Sequence, residues 1–317
     1  MPKYNRAKQK LIDLYVKCLS EDKIPWEKMW TTKPPVNAIT GKNYKGINNL
    51  VLSYIVSERG YKDNRWCTFN QMKKKNWKFK SDAKGQGVYV EYWGKYNIKD
   101  KKTYSISQYQ KIIKDNPELK DDFRTINKST TVFNGDLIDG IPKQLDNEKD
   151  HDPIKTSEFI NNIITNLGVT YIESGDRAYY NPTYDKVVIP LSETFKNEYS
   201  YQATQVHELS HSTGHPSRLN RNLSNHFGTQ GYAKEELRAE ISSSFLMQEL
   251  SLEYDDNHIR NHKAYIQSWM ELIEDKPSEL FKAISDADKI VDYLKENGRE
   301  KTKDLVQDLD YEEELEI

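Results

Sequence analysis

A helix is the backbone implied by His207-Glu208-Leu209-Ser210-His211, because two imidazoles four residues apart on a helix stack one turn above each other and can grip one ion. Glu208 then lies beside the ion's open coordination position. Zinc held this way is the machinery of metal-assisted peptide hydrolysis. With 7 His and 25 Glu among 317 residues, about 0.01 such matches are expected by accident, so chance accounts poorly for the pattern.

Two histidines leave a third ligand to be found. The longer pattern H-E-x-x-H-x-x-G-x-x-H starts well with Gly214 but ends on Ser217. His215 follows the helix stop expected at Gly214, a place for capping or hydrogen bonding rather than ligation. Downstream, the stretch from Tyr232 to Ile241 reads as a helix in which Glu236 and Glu240 share one face and Leu237, Ile241 and Phe245 the adjacent apolar one. A zinc site of two His and one Glu uses that arrangement: one carboxylate binds the metal, and a second, one turn on, accepts the spare N–H of a ligating imidazole. Glu236 is assigned to the metal and Glu240 to the orienting role. The alternatives are Glu240 as ligand, or a solvated face shared by Glu235, Glu236 and Glu240 with Lys234 and Arg238. Tyr232, His215 and His226 are the candidate oxyanion donors.

The net charge of −2 conceals two unlike halves. Residues 1–150 hold 30 Lys+Arg against 18 Asp+Glu, a net of +12, which leaves 17 against 31, or −14, for residues 151–317. The basic half also holds Trp26, Trp30, Trp66, Trp77 and Trp93 and ten tyrosines. Cations for phosphates and ring faces for unstacked bases are what single-strand binding uses, although most such rings are expected in a core. Thr40-Gly41-Lys42 suits a tight turn, with Asn37, Tyr44, Lys45 and Asn48 around it as candidate nucleic-acid contacts. Lys73-Lys74-Lys75 reads as a solvated helix face that adds phosphate attraction. Val88-Tyr89-Val90-Glu91-Tyr92-Trp93 and Thr131-Val132-Phe133 read as strands.

Two domains with a linker follow from composition. Residues 1–140 form the first, 141–153 the linker with Pro142 and Pro153, 154–300 the second, and 301–317 an acidic tail. In the second, Phe159, Ile160, Ile163, Ile164 and Leu167 mark an amphipathic helix ending at Gly168, followed by strands and a hairpin turning at Asn181-Pro182-Thr183, a candidate cradle for an extended peptide. Two later helices are expected from Ile259, His262, Ile266, Trp269 and Ile273, and from Leu280, Ile284, Ala287, Val291 and Leu294, with His262 a core histidine. The helical spacing of Leu11, Leu14, Tyr15, Cys18 and Leu19 argues against a signal peptide, no apolar run spans a bilayer, and Cys18 and Cys67 are too few for a disulfide framework. A cytoplasmic protein without a membrane partner is expected.

The order of Tyr184-Asp185-Lys186-Val187-Val188-Ile189-Pro190, His207 to His211, Ser212-Thr213-Gly214-His215, Arg218-Leu219-Asn220-Arg221 and Glu235-Glu236-Leu237-Arg238-Ala239-Glu240 resembles the zincin-type domain of ArdC antirestriction proteins. Upstream, Pro35 to Asn48, Trp66-Cys67-Thr68-Phe69-Asn70-Gln71 and Val132-Phe133-Asn134 resemble that family's N-terminal single-stranded-DNA-binding domain. The family's Lys-Gly-Glu type loop is replaced by Lys80 to Gly87, which leaves Lys84 for the phosphate contact. The resemblance covers roughly the first 250 residues and implies an α+β protein of two domains, the second a gluzincin-type metalloprotease fold, from a mobile element or phage that protects DNA from restriction. Trp66, Gln71, Lys84 and Trp93 join the candidate DNA-binding residues, with Zn2+ as cofactor, single-stranded DNA as partner and a DNA-bound protein as one possible substrate. Zinc on His207, His211 and Glu236 would polarise the scissile carbonyl and acidify water, and Glu208 would take that proton and pass it to the leaving amine. Two other readings stand beside this one: a zincin half that is structural or regulatory, and a DNA-tethered protease.

Overall fold

A computed structural model describes residues 6–21, 33–143, 153–224, 229–250 and 263–299. Most of the expected linker, the acidic tail, Trp26, Trp30, His226, Ile259 and His262 lie outside the described residues. The chain begins with α1 (Arg6–Ser20), which buries Ile12, Tyr15 and Leu19. It continues through β1 (Val36–Asn37), α2 (Gly46–Arg59), β2 (Arg65–Thr68), α3 (Phe69–Lys74), β3 (Lys78–Phe79), β4 (Val88–Asn97), β5 (Thr103–Ser105), α4 (Ile106–Asp115), β6 (Phe123–Asn134) and β7 (Ile138–Asp139). The second half comprises α5 (Pro153–Leu167), β8 (Thr170–Glu173), β9 (Tyr179–Asn181), β10 (Lys186–Ile189), α6 (Glu198–Ser212), α7 (Gln230–Glu249), α8 (Lys263–Asp275) and α9 (Pro277–Gly298). The result is an α+β protein of two domains.

The first sheet runs β1-β2-β6-β4-β5, and β4 and β6 form its long antiparallel spine from Val88↔Val132 to Asn97↔Phe123. Alternation decides the faces. Val88 and Val90 are buried against α2, while Tyr89 and Trp93 point the other way and stay exposed. Both strands run past the segments expected from alternation, because pairing continues through Gly94 to Asn97, where β5 adds a third strand. Helix ends follow local chemistry: Thr68 and Gln71 form a capping box at α3, Ser105 and Gln108 another at α4, and Gly60 closes α2 in the left-handed region at φ 65°.

The halves share one hydrophobic core. Leu50, Leu52, Ile55 and Val56 of α2 belong to the same buried cluster as Ile160 and Ile163 of α5, Val206 and Leu209 of α6, Leu237 and Ile241 of α7 and Leu280 and Ile284 of α9. α2 packs on α9, and α1 on α8. At the seam the backbone N–H of Gly46 donates to Asp288 Oδ1 (2.9 Å), and a Cβ at Gly46 would lie 2.5 Å from Asp288 Oδ2. Asn49 donates to Gln248 at the end of α7 (3.3 Å).

A three-stranded sheet, order β8-β10-β9, stands beside α6. β10 is its centre, so the edge facing the site is β9 rather than the Val187–Ile189 strand. Arg218 pins this sheet to the helices. It donates to both Asp185 carboxylate oxygens (2.8 and 2.7 Å), to the Ser212 carbonyl that ends α6 (2.8 Å) and to the Leu167 carbonyl that ends α5 (3.0 Å). Because the core is continuous, Leu50→Ala should cost about 2–5 kcal/mol and shift the unfolding of both halves together. Urea unfolding followed by Trp fluorescence and by circular dichroism should give coincident transitions; two separate transitions would show that the halves fold independently.

Candidate functional site

α6 starts where Asn197 Oδ1 accepts the Ser200 N–H (2.9 Å) and ends at Ser212, the N–H of Gly214 reaching the His211 carbonyl (2.8 Å). α7 starts on the Thr229 hydroxyl, which accepts the Tyr232 N–H (3.2 Å). α7 is buried almost all round. Small residues let the two helices meet: the Ser243 hydroxyl reaches the Ala203 carbonyl (3.3 Å). The Trp269 indole N–H bonds the Ala233 carbonyl (2.9 Å) and fixes the first turn of α7 from behind.

That contact aims His207, His211 and Glu236 at one point. The two Nε2 atoms are 3.1 Å apart, and Glu236 presents Oε2 at 3.6 Å from His207 Nε2 and Oε1 at 3.5 Å from His211 Nε2. A tetrahedral ion with bonds of about 2.0–2.2 Å separates its ligand atoms by about 3.3–3.6 Å, so these residues fit a divalent cation with little movement. Imidazole nitrogen with carboxylate oxygen suits zinc and also manganese. The side chains are largely covered, 17% exposed for His207, 12% for His211 and 9% for Glu236.

The remaining ring nitrogens meet carboxylates too. His207 Nδ1 lies 3.1 Å from Glu240 Oε1, and His211 Nδ1 lies 3.6 Å from Glu235 Oε1. Glu235 is itself gripped by Arg221, at 2.7 Å from Nη2, while the same guanidinium holds the Thr213 hydroxyl (2.7 Å) and the Ser210 carbonyl (2.8 Å). The residues of α7 therefore divide: Glu236 faces both Nε2 atoms, Glu240 faces His207 Nδ1 and Glu235 lies beside His211 Nδ1. Glu235 and Arg221 had no such role in the sequence reading. The available signal is chemical, since each of two imidazoles placed to ligate an ion calls for an acceptor at its other nitrogen.

Glu208 is buried beside the pair, and burial lifts its carboxyl above the ordinary value, with His207 and His211 opposing. Burial disfavours charge on the rings, yet Glu240 and Glu236 hold His207 well above its usual value, and Glu236 and Glu235 lift His211 to about 9. Burial also works against the Glu236 charge, but the two imidazoles keep its pKa far below the usual carboxylate range. A cleft of about 640 Å³ opens over these groups, walled by β9, Phe195, Leu223 and Tyr232. Of the candidate oxyanion donors only Tyr232 is seen to line it; His215 turns to the Ser217 hydroxyl (2.7 Å).

A model of the zincin-like metallopeptidase domain matches residues 158–286, and a model of the N-terminal domain of the anti-restriction factor ArdC matches residues 5–133. Crystal structures of the antirestriction protein ArdC from plasmid R388, one metal-free and one Mn(II)-bound, share 30% identity with a TM-score of 0.70, covering 93% and 94% of this chain and 98% and 100% of theirs. The chain belongs to the ArdC antirestriction family. Two DNA primases named TraC from Escherichia coli are 37% and 36% identical across 85% of the chain, which spans 18% and 25% of their length. An uncharacterized protein, y4eC, of Sinorhizobium fredii is 27% identical over 92% of the chain and 91% of its own length.

In this ArdC-type chain the candidate DNA-binding residues divide by structural use. Trp66 requires correction: its ring is fully buried and packs edge-on to Tyr61, so no base can stack on it. Tyr44 packs against the core, its hydroxyl accepting from Asn37 (3.4 Å), and burial pushes its pKa to about 12. Asn37 builds the turn, accepting the N–H groups of Ile39 and Thr40 (3.0 and 3.1 Å), and Gln71 completes the α3 capping box. Asn48, half-buried, also makes a structural contact. Its amide takes the place of a neighbouring strand for Glu91, giving to the carbonyl (2.7 Å) and accepting from the N–H (2.8 Å). Lys45 bonds Asp292 of α9 (2.5 Å). Thr40, Gly41, Lys42, Lys84 and Trp93 remain at the surface.

Because the neighbouring carboxylates raise the pKa of both imidazoles, His211 to about 9, and an ion needs their Nε2 lone pairs, metal uptake should release protons, and affinity should rise with pH up to about 9. Titration calorimetry in buffers of different ionisation enthalpy reads this directly; a pH-independent affinity would contradict it. His207→Ala with His211→Ala should abolish binding, and Glu235→Gln should weaken it about 10–100-fold. An unchanged affinity in Glu235→Gln would remove its orienting role.

Proposed function

We propose that this chain is an antirestriction protein of a mobile element or phage, working in the cytoplasm, that binds single-stranded DNA with its basic half and cleaves a protein at a zinc centre in the other. The observation that carries the hydrolytic reading is the convergence of His207, His211 and Glu236 with buried Glu208 beside them. No described helix is long and apolar enough to cross a membrane. When bound, the ion supplies Lewis-acid chemistry, polarising a carbonyl and acidifying water.

The chain's own residues supply the rest. Glu208, raised by burial, takes a proton from the attacking water and returns it to the leaving amine. Glu240 and Glu235 hold the imidazole Nδ1 protons so that both Nε2 atoms face the ion. The edge of β9 can receive an extended peptide as an added strand, with Tyr232 on the cleft wall as the nearest side-chain donor for a developing oxyanion. Because α2 joins both halves in one core, proteins on a held DNA strand would meet the cleft from a fixed direction. This favours a substrate that is itself bound to DNA.

Glu208→Ala should retain its metal and lose cleavage by at least about 10²-fold. Protein cleavage with and without single-stranded DNA, run beside antirestriction in cells, checks this. Full cleavage by the metal-loaded variant would overturn the hydrolytic reading, and antirestriction surviving without cleavage would assign protection to DNA binding alone.

A further inference from the structure

The outer face of the first sheet carries exposed rings that the nucleic-acid loop does not explain. Along β4, residues of one parity face away from α2: Tyr89 is 57% exposed and Trp93 51% exposed, with Glu91 between them. Opposite them on β6 stand Thr131, Ser129 and Asn127. Both ends of this strip are covered. At one end Phe79 stacks with Phe69 (centroids 5.9 Å) and packs edge-on to Phe133 (4.6 Å). At the other, α4 lays Tyr109 beside Lys95, whose ammonium lies 4.7 Å from the ring centre. Between the two lies a saddle with a polar and aromatic floor, and Tyr89 and Trp93 are about 13 Å apart along the strand.

Charge identifies what fits such a saddle. Lys73 is exposed one helical turn along α3 from Phe69, and Lys95 follows Trp93 on the same face of β4. Rings in the floor and cations at both ends match an unpaired strand that turns its bases inward and its phosphates outward; a duplex cannot offer its ring faces. The floor also has chemical direction. Glu91 Oε2 accepts from the Trp93 indole N–H and the Asn127 amide, each at 3.4 Å, which fixes the carboxylate between the two rings. A carboxylate only accepts hydrogen bonds, so where it meets the 4-position of a pyrimidine it suits the N4 amino group of cytosine and repels the O4 of thymine.

We propose that Tyr89, Glu91 and Trp93 form a base-reading platform on which single-stranded DNA lies bases inward, with cytosine favoured over thymine. The platform rests on the single-strand reading of this half. Pyrimidine oligomers make the cleanest comparison, because the two bases differ chiefly in the groups that Glu91 would meet.

Fluorescence anisotropy of the full chain with labelled oligo-dC and oligo-dT of equal length tests it. Wild type should bind oligo-dC about threefold or more tightly than oligo-dT, and Glu91→Gln, whose amide both donates and accepts, should bring the ratio to about one. Tyr89→Ala and Trp93→Ala should each weaken both oligomers by about fivefold or more, and Tyr89→Phe and Trp93→Phe should restore most of the loss. Unchanged thermal midpoints in these exposed-site variants separate lost contacts from lost folding. Tight binding that ignores the ring substitutions, or a base ratio untouched by Glu91→Gln, overturns the platform alone; no binding of either oligomer by wild type overturns the single-strand reading and the platform with it.

Discussion

Four carboxylates, Glu208, Glu235, Glu236 and Glu240, are buried around two imidazoles, and so much negative charge out of water is tolerable only beside cations. Arg221 answers Glu235 from a loop, and the imidazoles of His207 and His211, whose pKa values the carboxylates raise, stand against the others. A divalent ion fills the same electrostatic need with a geometry the protein already holds. Much of the second half serves that arrangement: the close contact of α6 with α7 through Ala203 and Ser243, the Trp269 brace behind α7, and the Arg218 tie that sets β9 beside the cleft.

The same helices reach the first half. Gln248 in the last turn of α7 meets Asn49 of α2, and α9 offers Asp288 to the first turn of α2 and Asp292 to Lys45. Asn48, in that first turn, holds the β4 backbone at Glu91, between the exposed rings of the outer face. A continuous packed path thus connects the cleft with the strip of the sheet suited to bases. The charge contrast of +12 against −14 separates the halves chemically, while the core joins them mechanically.

Local patterns were legible in the sequence and tertiary choices were not. The His207–His211 interval and the Glu236–Glu240 interval each lie within one helix, so spacing alone indicated which side chains would stand together. Glu235 was illegible because its role depends on Arg221, fourteen residues away on a loop, and on the angle at which α7 meets α6. In the first half, alternation revealed that β4 has two faces without revealing which one α2 would cover. Trp66 looked like a platform by residue type, yet its register opposite Asn134 turns it into the core. Tyr89 and Glu91 are not singled out by type, and their pairing opposite Thr131 and Ser129 sets them on the outer face. The asparagines at 37 and 48 fit a phosphate loop as readily as a scaffold, and hydrogen bonds fixed over long sequence separations assign them to the scaffold.

Two imidazole nitrogens and one carboxylate, brought from two helices, are placed to hold a single divalent ion. X-ray absorption spectroscopy of the zinc-loaded protein tests it most directly. One ion per chain is expected, with two imidazole nitrogens at about 2.0–2.1 Å and oxygen ligands at about 2.0–2.2 Å, the carboxylate oxygen disappearing from the shell in Glu236→Ala. A shell with a third imidazole, a sulfur ligand, or one unaltered by Glu236→Ala would contradict it.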